Sequence, residues 1–168
     1  MKKLITLLSL ALLSFNQDIK AQCNDLSSAI NQSLEDGTEN SKWAILDNNA
    51  DGNTWFVSPN SNTGDSSIGY SYNSNNANEI IFSPCLDLKS SNTYNVGYFV
   101  KAYSASWPEA MRVVLSNGTA TNTIIDTIID HNNIDWTTYQ AHAANFTVPS
   151  DGIYYIGFEC YSMGGQWD

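Results

Sequence analysis

Three oxygen-bearing side chains, Asp47, Asn49 and Asp51, stand at alternate positions, with Gly52 directly behind them and Trp43 and Trp55 on either side. Alternate oxygens on a sharply turning loop can converge on one point, as a hard cation such as Ca²⁺ requires of its ligands. The same residues also make an ordinary polar turn, because Asn and Asp bond their own backbone and tolerate positive φ, as Gly does. On residue types alone the turn is the simpler reading.

Other chemistry is thinner. Neither His131 nor His142 has a Ser or Cys partner in a nucleophile motif, and both read as solvated residues of turns and exposed strand faces. The acids sit mainly in turns and offer no pair of the kind a glycosidase places across a sugar. No enzyme is expected. Trp107, Tyr70 and Tyr72 are the candidates to present an aromatic face to a sugar or a protein, with Trp107 at a loop tip. Trp55 and Tyr94 read as core. Of the three cysteines, Cys85 and Cys160 lie in apolar segments, where a bridge between them and two buried free thiols are equally plausible. No Cys or His spacing suggests zinc.

Charge narrows the partners. The chain has 168 residues and a net charge of −10. Beyond residue 22 only Lys42, Lys89, Lys101 and Arg112 are basic, against 16 acidic residues, a net charge near −12. Such a surface repels nucleic acid and anionic membranes, both of which need phosphate charge neutralised. It suits cation binding. An aromatic content of 12% excludes an acidic disordered tail.

Residues 1–22 read as a signal peptide: Met1-Lys2-Lys3, an apolar run over 4–15, and a polar exit with Ala21 near the cut. The run is too short for a bilayer, which takes about 20 residues. Nothing later comes close, so a secreted or cell-surface location follows. Lys20-Ala21-Gln22 before Cys23 argues against lipidation there.

The elements that must position these residues are strands. Short apolar or alternating runs are expected as strands near 33–35, 43–46, 55–57, 70–72, 79–83, 85–88, 93–103, 111–115 and 123–129, with more from 136 and over 153–161. Turns are expected at 47–53, 131–133 and 150–152, the last as a hairpin signal. Tyr94, Val96, Tyr98 and Val100 alternate with Asn95, Gly97, Phe99 and Lys101, the pattern of a half-buried antiparallel strand. With no convincing helix, residues 23–168 read as one all-β domain, a jelly-roll β-sandwich of two antiparallel sheets.

Five blocks in order carry a family resemblance. They are Leu34-Glu35-Asp36-Gly37, the 43–55 stretch between its two tryptophans, 78–88, the tyrosine strand 94–100 with Glu109 to Val113 after it, and 146–162. Together they resemble the cleaved-adhesin or MAM-like (choice-of-anchor J) jelly-roll modules of secreted Bacteroidetes proteins. The resemblance implies a non-catalytic adhesion or recognition module, part of a larger protein, with an extracellular protein or glycan as partner. A carbohydrate-binding module attached to a polysaccharide-degrading enzyme is the alternative. It also implies a structural Ca²⁺ with Glu35, Asp47 and Asp51 as ligands and Asn49 as a weaker one. Two departures stand out. Asn78-Glu79-Ile80 replaces an Asp-Asp-Trp, which argues against a ligand role there. Family members also continue past Gly164-Gly165-Gln166-Trp167 into a final strand, so a missing last strand is expected.

Overall fold

The computed structural model describes Cys23, Ile30, Glu35 and residues 41–71 and 74–165. The expected leader, Tyr72 and all of the expected 33–35 strand except Glu35 lie outside the described residues. Ten strands follow in order: β1 (Ala44–Asp47), β2 (Phe56–Ser58), β3 (Ser67–Gly69), β4 (Glu79–Phe82), β5 (Leu86–Leu88), β6 (Tyr94–Val100), β7 (Glu109–Ser116), β8 (Ile124–Ile134), β9 (Gln140–Phe146) and β10 (Gly152–Cys160). The fold is an all-β jelly-roll sandwich. One layer is a six-stranded sheet in the order β1-β4-β10-β7-β8, with β5 also on β10. Two ribbons, β2-β3 and β6-β9, complete the strands. Every pairing is antiparallel.

The alternation in β6 explains the main core. Val96 is buried and Tyr94, Tyr98 and Val100 half-buried, while Asn95, Gly97 and Phe99 are exposed. The buried row packs with Leu86, Leu88, Met111, Val113, Leu115, Tyr154 and Ile156 of the six-stranded sheet. A second cluster joins Ile80, Phe82, Cys85 and Tyr155, with Cys23, Ala44 and Leu46 against it. Phe82 and Gly157 are register partners. A Cβ at Gly157 would approach Val114 to 2.7 Å and the Phe82 ring to 3.0 Å, so the ring lies where only glycine leaves room. Buried on both faces, β4 reads as a continuous apolar run after its glutamate rather than as an alternation.

Four expectations are corrected. The strand expected at 70–72 is β3, which ends at Gly69, with Tyr70 just past it. His131-Asn132-Asn133 lies inside the eleven-residue β8, not in a turn, because its register against β7 carries through three irregularities. The 150–152 turn makes a crossover instead of a hairpin: β9 pairs with β6, and β10 with β4, β5 and β7. Finally, the bridge is Cys23–Cys85, across a sequence separation of 62, and Cys160 is a buried free thiol.

Candidate functional site

The 47–53 loop is built by its own oxygens. Asp47 accepts from the amides of Asp51 at 3.3 Å and Gly52 at 2.9 Å, Asn49 accepts from the Asp51 amide at 3.1 Å, and Asp51 accepts from the Asn53 amide at 2.9 Å. Ala50 and Gly52 both take positive φ, 56° and 82°. For alanine this is an uncommon backbone state, held by the surrounding bonds. The polar-turn chemistry is therefore real, and it aims two carboxylates at one place.

A third carboxylate joins them. Asp47 and Glu79 are direct register partners across β1 and β4, and oxygens of Asp47, Asp51 and Glu79 lie within 4.8 Å of one another. Like charges directly opposite on neighbouring strands oppose pairing. At 4.8 Å and an effective dielectric near 20, each ionised pair repels by on the order of 3 kcal/mol. Glu79 has no exposed surface. One oxygen accepts from the Asn78 amide at 2.8 Å, while the other, fully buried, has no hydrogen-bond partner. Burial raises its pKa above the usual carboxylate range, with the Tyr70 hydroxyl and the Asn78 amide opposing the shift and the charges of Asp51 and Asp47 adding to it.

The other expected ligands are differently employed. The Glu35 carboxylate accepts from the backbone amides of Asp65 at 2.9 Å and Ser66 at 3.1 Å, which caps the loop before β3. The Asn49 amide nitrogen donates to Asp51 at 3.2 Å and to the Asn76 carbonyl at 3.0 Å, and its oxygen holds the loop. Glu79, set aside on the sequence as a departure, is the residue brought in instead. Its signal was its register: only pairing with Asp47 reveals it as the third acid.

The expected aromatic residues separate by role. The Tyr70 ring packs on Trp55 with centroids 5.8 Å apart. Its hydroxyl is buried beside Glu79 without a hydrogen bond of good geometry, and burial followed by the Glu79 carboxylate holds its pKa high. Trp55 donates through its indole nitrogen to the Glu79 carbonyl at 3.0 Å, so both rings wall the acidic trio. Tyr70 and Trp107 also line one cavity of about 1120 Å³, which reaches from the inner face of the six-stranded sheet to the two ribbons.

The histidines are not solvated surface residues. His131 on β8 and His142 on β9 stand 4.5 Å apart between ring centroids. Both are half-buried and lie against Tyr98 and Trp136. The Tyr98 hydroxyl and His131 Nε2 are 2.7 Å apart in a hydrogen bond, and His142 Nε2 is buried without a partner. Burial first, then the neighbouring His142, lowers the His131 pKa; Asp130 opposes the shift. Tertiary packing draws them in from positions that sequence alone places at the surface.

No protein-family model matches the sequence, and no curated protein matches it. Solved structures do. The K3 cleaved adhesin domain of Lys-gingipain from Porphyromonas gingivalis W83 is similar with a TM-score of 0.59 and 16% identity, over 73% of this chain and 83% of that one. The K2 cleaved adhesin domain of Lys-gingipain gives a TM-score of 0.51 at 13% identity, over 71% and 79%. A family 35 carbohydrate binding module from Clostridium thermocellum gives 0.47 at 18% identity, over 74% and 85%, a looser likeness on which nothing further rests. At these identities the likeness is one of fold: the chain shares the sandwich of cleaved adhesin domains.

Proposed function

We propose that this chain is an extracellular, non-catalytic recognition module whose 47–53 loop is locked by a structural Ca²⁺ held by Asp47, Asp51 and Glu79. The content of the 1120 Å³ cavity carries the non-catalytic half. Among its lining residues the ionisable acids and bases are Glu109 and Lys101, with the Cys160 thiol pushed up to about 11 by burial. A glycosidase needs two carboxylates about the bond it cleaves, and a thiol nucleophile needs a lowered pKa. The described lining residues offer neither arrangement, which supports a binding role. The disulfide and the leader-like start support an oxidising, extracellular compartment.

Glu79 carries the calcium half. A buried glutamate with one oxygen lacking a partner, grouped with two aspartates so that one oxygen of each lies within 4.8 Å of the others, is a costly arrangement that a divalent cation neutralises. Three carboxylates supply hard oxygen donors, to be completed by carbonyls or water, as Ca²⁺ allows. The fold draws them from β1, its following loop and β4, so the ion would tie the sheet edge to the loop.

Thermal melting in 1 mM CaCl₂ and in EDTA tests this. The expected result is a higher midpoint with calcium that is lost in Glu79→Gln. Equal midpoints in the two buffers sink the calcium half. Turnover of a polysaccharide or peptide by the purified chain, abolished by Glu109→Gln, sinks the other.

A further inference from the structure

The cavity's chemistry narrows what such a module recognises, and the narrowing rests on the non-catalytic reading above. One lip is polar: Asn62, Thr63 and Ser66 lie in the segment between β2 and β3, and Asn62 and Thr63 are exposed. Another lip is aromatic: Tyr103, 90% exposed, and Trp107 lie in the segment between β6 and β7. The walls are tied together. The Tyr139 hydroxyl donates to the Asn60 carbonyl at 2.5 Å, which joins the segment after β2 to the segment before β9.

Charge is what makes this lining unusual. The whole chain carries 17 acidic residues, yet among the described residues that line a cavity of this size there are one acid and one base. Even that base is occupied, since the Lys101 ammonium lies over the Tyr139 ring at 5.0 Å from its centroid. An anionic ligand would meet the field of a net charge of −10 with no open cationic site among the described lining residues to offset it. A cationic ligand would find one carboxylate. A folded protein partner usually needs a flat patch of roughly 800 Å², whereas a concave site takes something narrow enough to enter.

We infer that the cavity binds an uncharged oligosaccharide, the end or an internal stretch of a neutral polysaccharide. Sugar hydroxyls are donors and acceptors that match the amide and hydroxyl lip. The apolar C–H face of a pyranose matches an exposed aromatic ring, which offers large contact area at low entropy cost. At about 1120 Å³ the space exceeds the roughly 300–1,000 Å³ of small-molecule pockets, so several sugar units fit better than one. Tyr103 and Trp107 stack, while Asn62 and Thr63 select among hydroxyl patterns.

Affinity electrophoresis of the calcium-loaded full chain tests this, with galactomannan, xyloglucan and laminarin as neutral probes and polygalacturonate and heparan sulfate as anionic ones. Retardation by at least one neutral polysaccharide and by neither anionic one is expected. Tyr103→Ala, at a side chain with little left to pack, should weaken that retardation tenfold or more and leave the melting midpoint unchanged. Trp107→Ala should weaken it too, and Asn62→Ala should alter the ranking of the neutral probes. Retardation by the anionic probes alone, or by none, overturns the inference. So does binding that survives both aromatic substitutions. If no glycan binds while the calcium-dependent melt persists, the ligand class falls and the calcium-locked module stands.

Discussion

A carboxylate with no exposed surface and one unpartnered oxygen is costly to keep ionised, and Glu79 also faces Asp47 directly across two strands. Three measurements follow at this scale. Calcium at a hundredfold excess over its dissociation constant should add about 2.7 kcal/mol, a midpoint rise of roughly 5–10 °C for a domain of this size. Glu79→Gln should abolish the rise and, in EDTA, melt at or above the wild type, because it removes the repulsion. The sign of the metal-free pH dependence is set by the raised pKa. Folding then binds a proton, so stability present in acid is lost as pH rises from the unfolded glutamate value, about 4.3, through the folded one. A flat melting profile in EDTA over that range would refute it. Cys160 gives the third measurement. Buried, with its thiol pushed up to about 11, it should resist a thiol reagent in the native state, and one thiol should react in denaturant. Three reactive thiols would disprove the Cys23–Cys85 bridge.

At the scale of elements, the β6-β9 ribbon meets the six-stranded sheet partly through the two histidines. His131 sits on β8, His142 on β9 opposite Tyr98 of β6, and Phe158 of β10 lies edge-on to the Tyr98 ring at 5.4 Å. Facing His131 are the Tyr98 hydroxyl, His142 and, on its own strand, Asp130, whose carboxylate accepts from the Tyr161 hydroxyl. The lowered pKa of His131 means the unfolded chain binds more protons. Stability is therefore complete above the unfolded histidine value, about 6.5, and declines as pH falls toward the folded value. In saturating calcium, where Glu79 is occupied, the midpoint should fall between pH 7.5 and 5.5. His131→Phe should flatten that slope and cost about 1 kcal/mol at pH 7.5 through the lost Tyr98 bond. An unaltered slope in the variant would assign the acid sensitivity elsewhere.

Over the whole molecule, the outer cluster around Ile80, Phe82 and Tyr155 is where Cys23 joins Cys85. The bridge ties the start of the described chain to the strand pair β4 and β5 and closes a loop of 62 residues. Chain entropy puts its contribution at about 4 kcal/mol in the unfolded ensemble. The double variant Cys23→Ser, Cys85→Ser should therefore lose roughly 2–4 kcal/mol in urea unfolding, with the calcium response retained because the acidic trio lies elsewhere. On the same outer face Arg112 forks onto Glu159 at 2.6 and 2.8 Å, and its guanidinium lies 5.4 Å from the Tyr161 ring centroid. A planar bidentate pair of this kind fixes β7 against β10 in register.

Local pattern was enough for the strands. The alternation of Tyr94 to Val100, the apolar run after Glu79 and the aromatic run through Tyr154 and Tyr155 are properties of neighbouring residues. Each became a strand: β6 buries the face its period implied, and the apolar runs of β4 and β10 are buried on both faces. The Asp-Asn-Asn-Ala-Asp-Gly turn was legible for the same reason, since its bonds join residues two to five apart. What only the tertiary structure decided are the choices between distant partners. Glu79 joined the aspartates and Glu35 did not; Cys85 took Cys23 and left Cys160 alone; the two histidines turned inward. In each case the residue type permits several partners, and strand register, which depends on the packing of the whole sandwich, selects one.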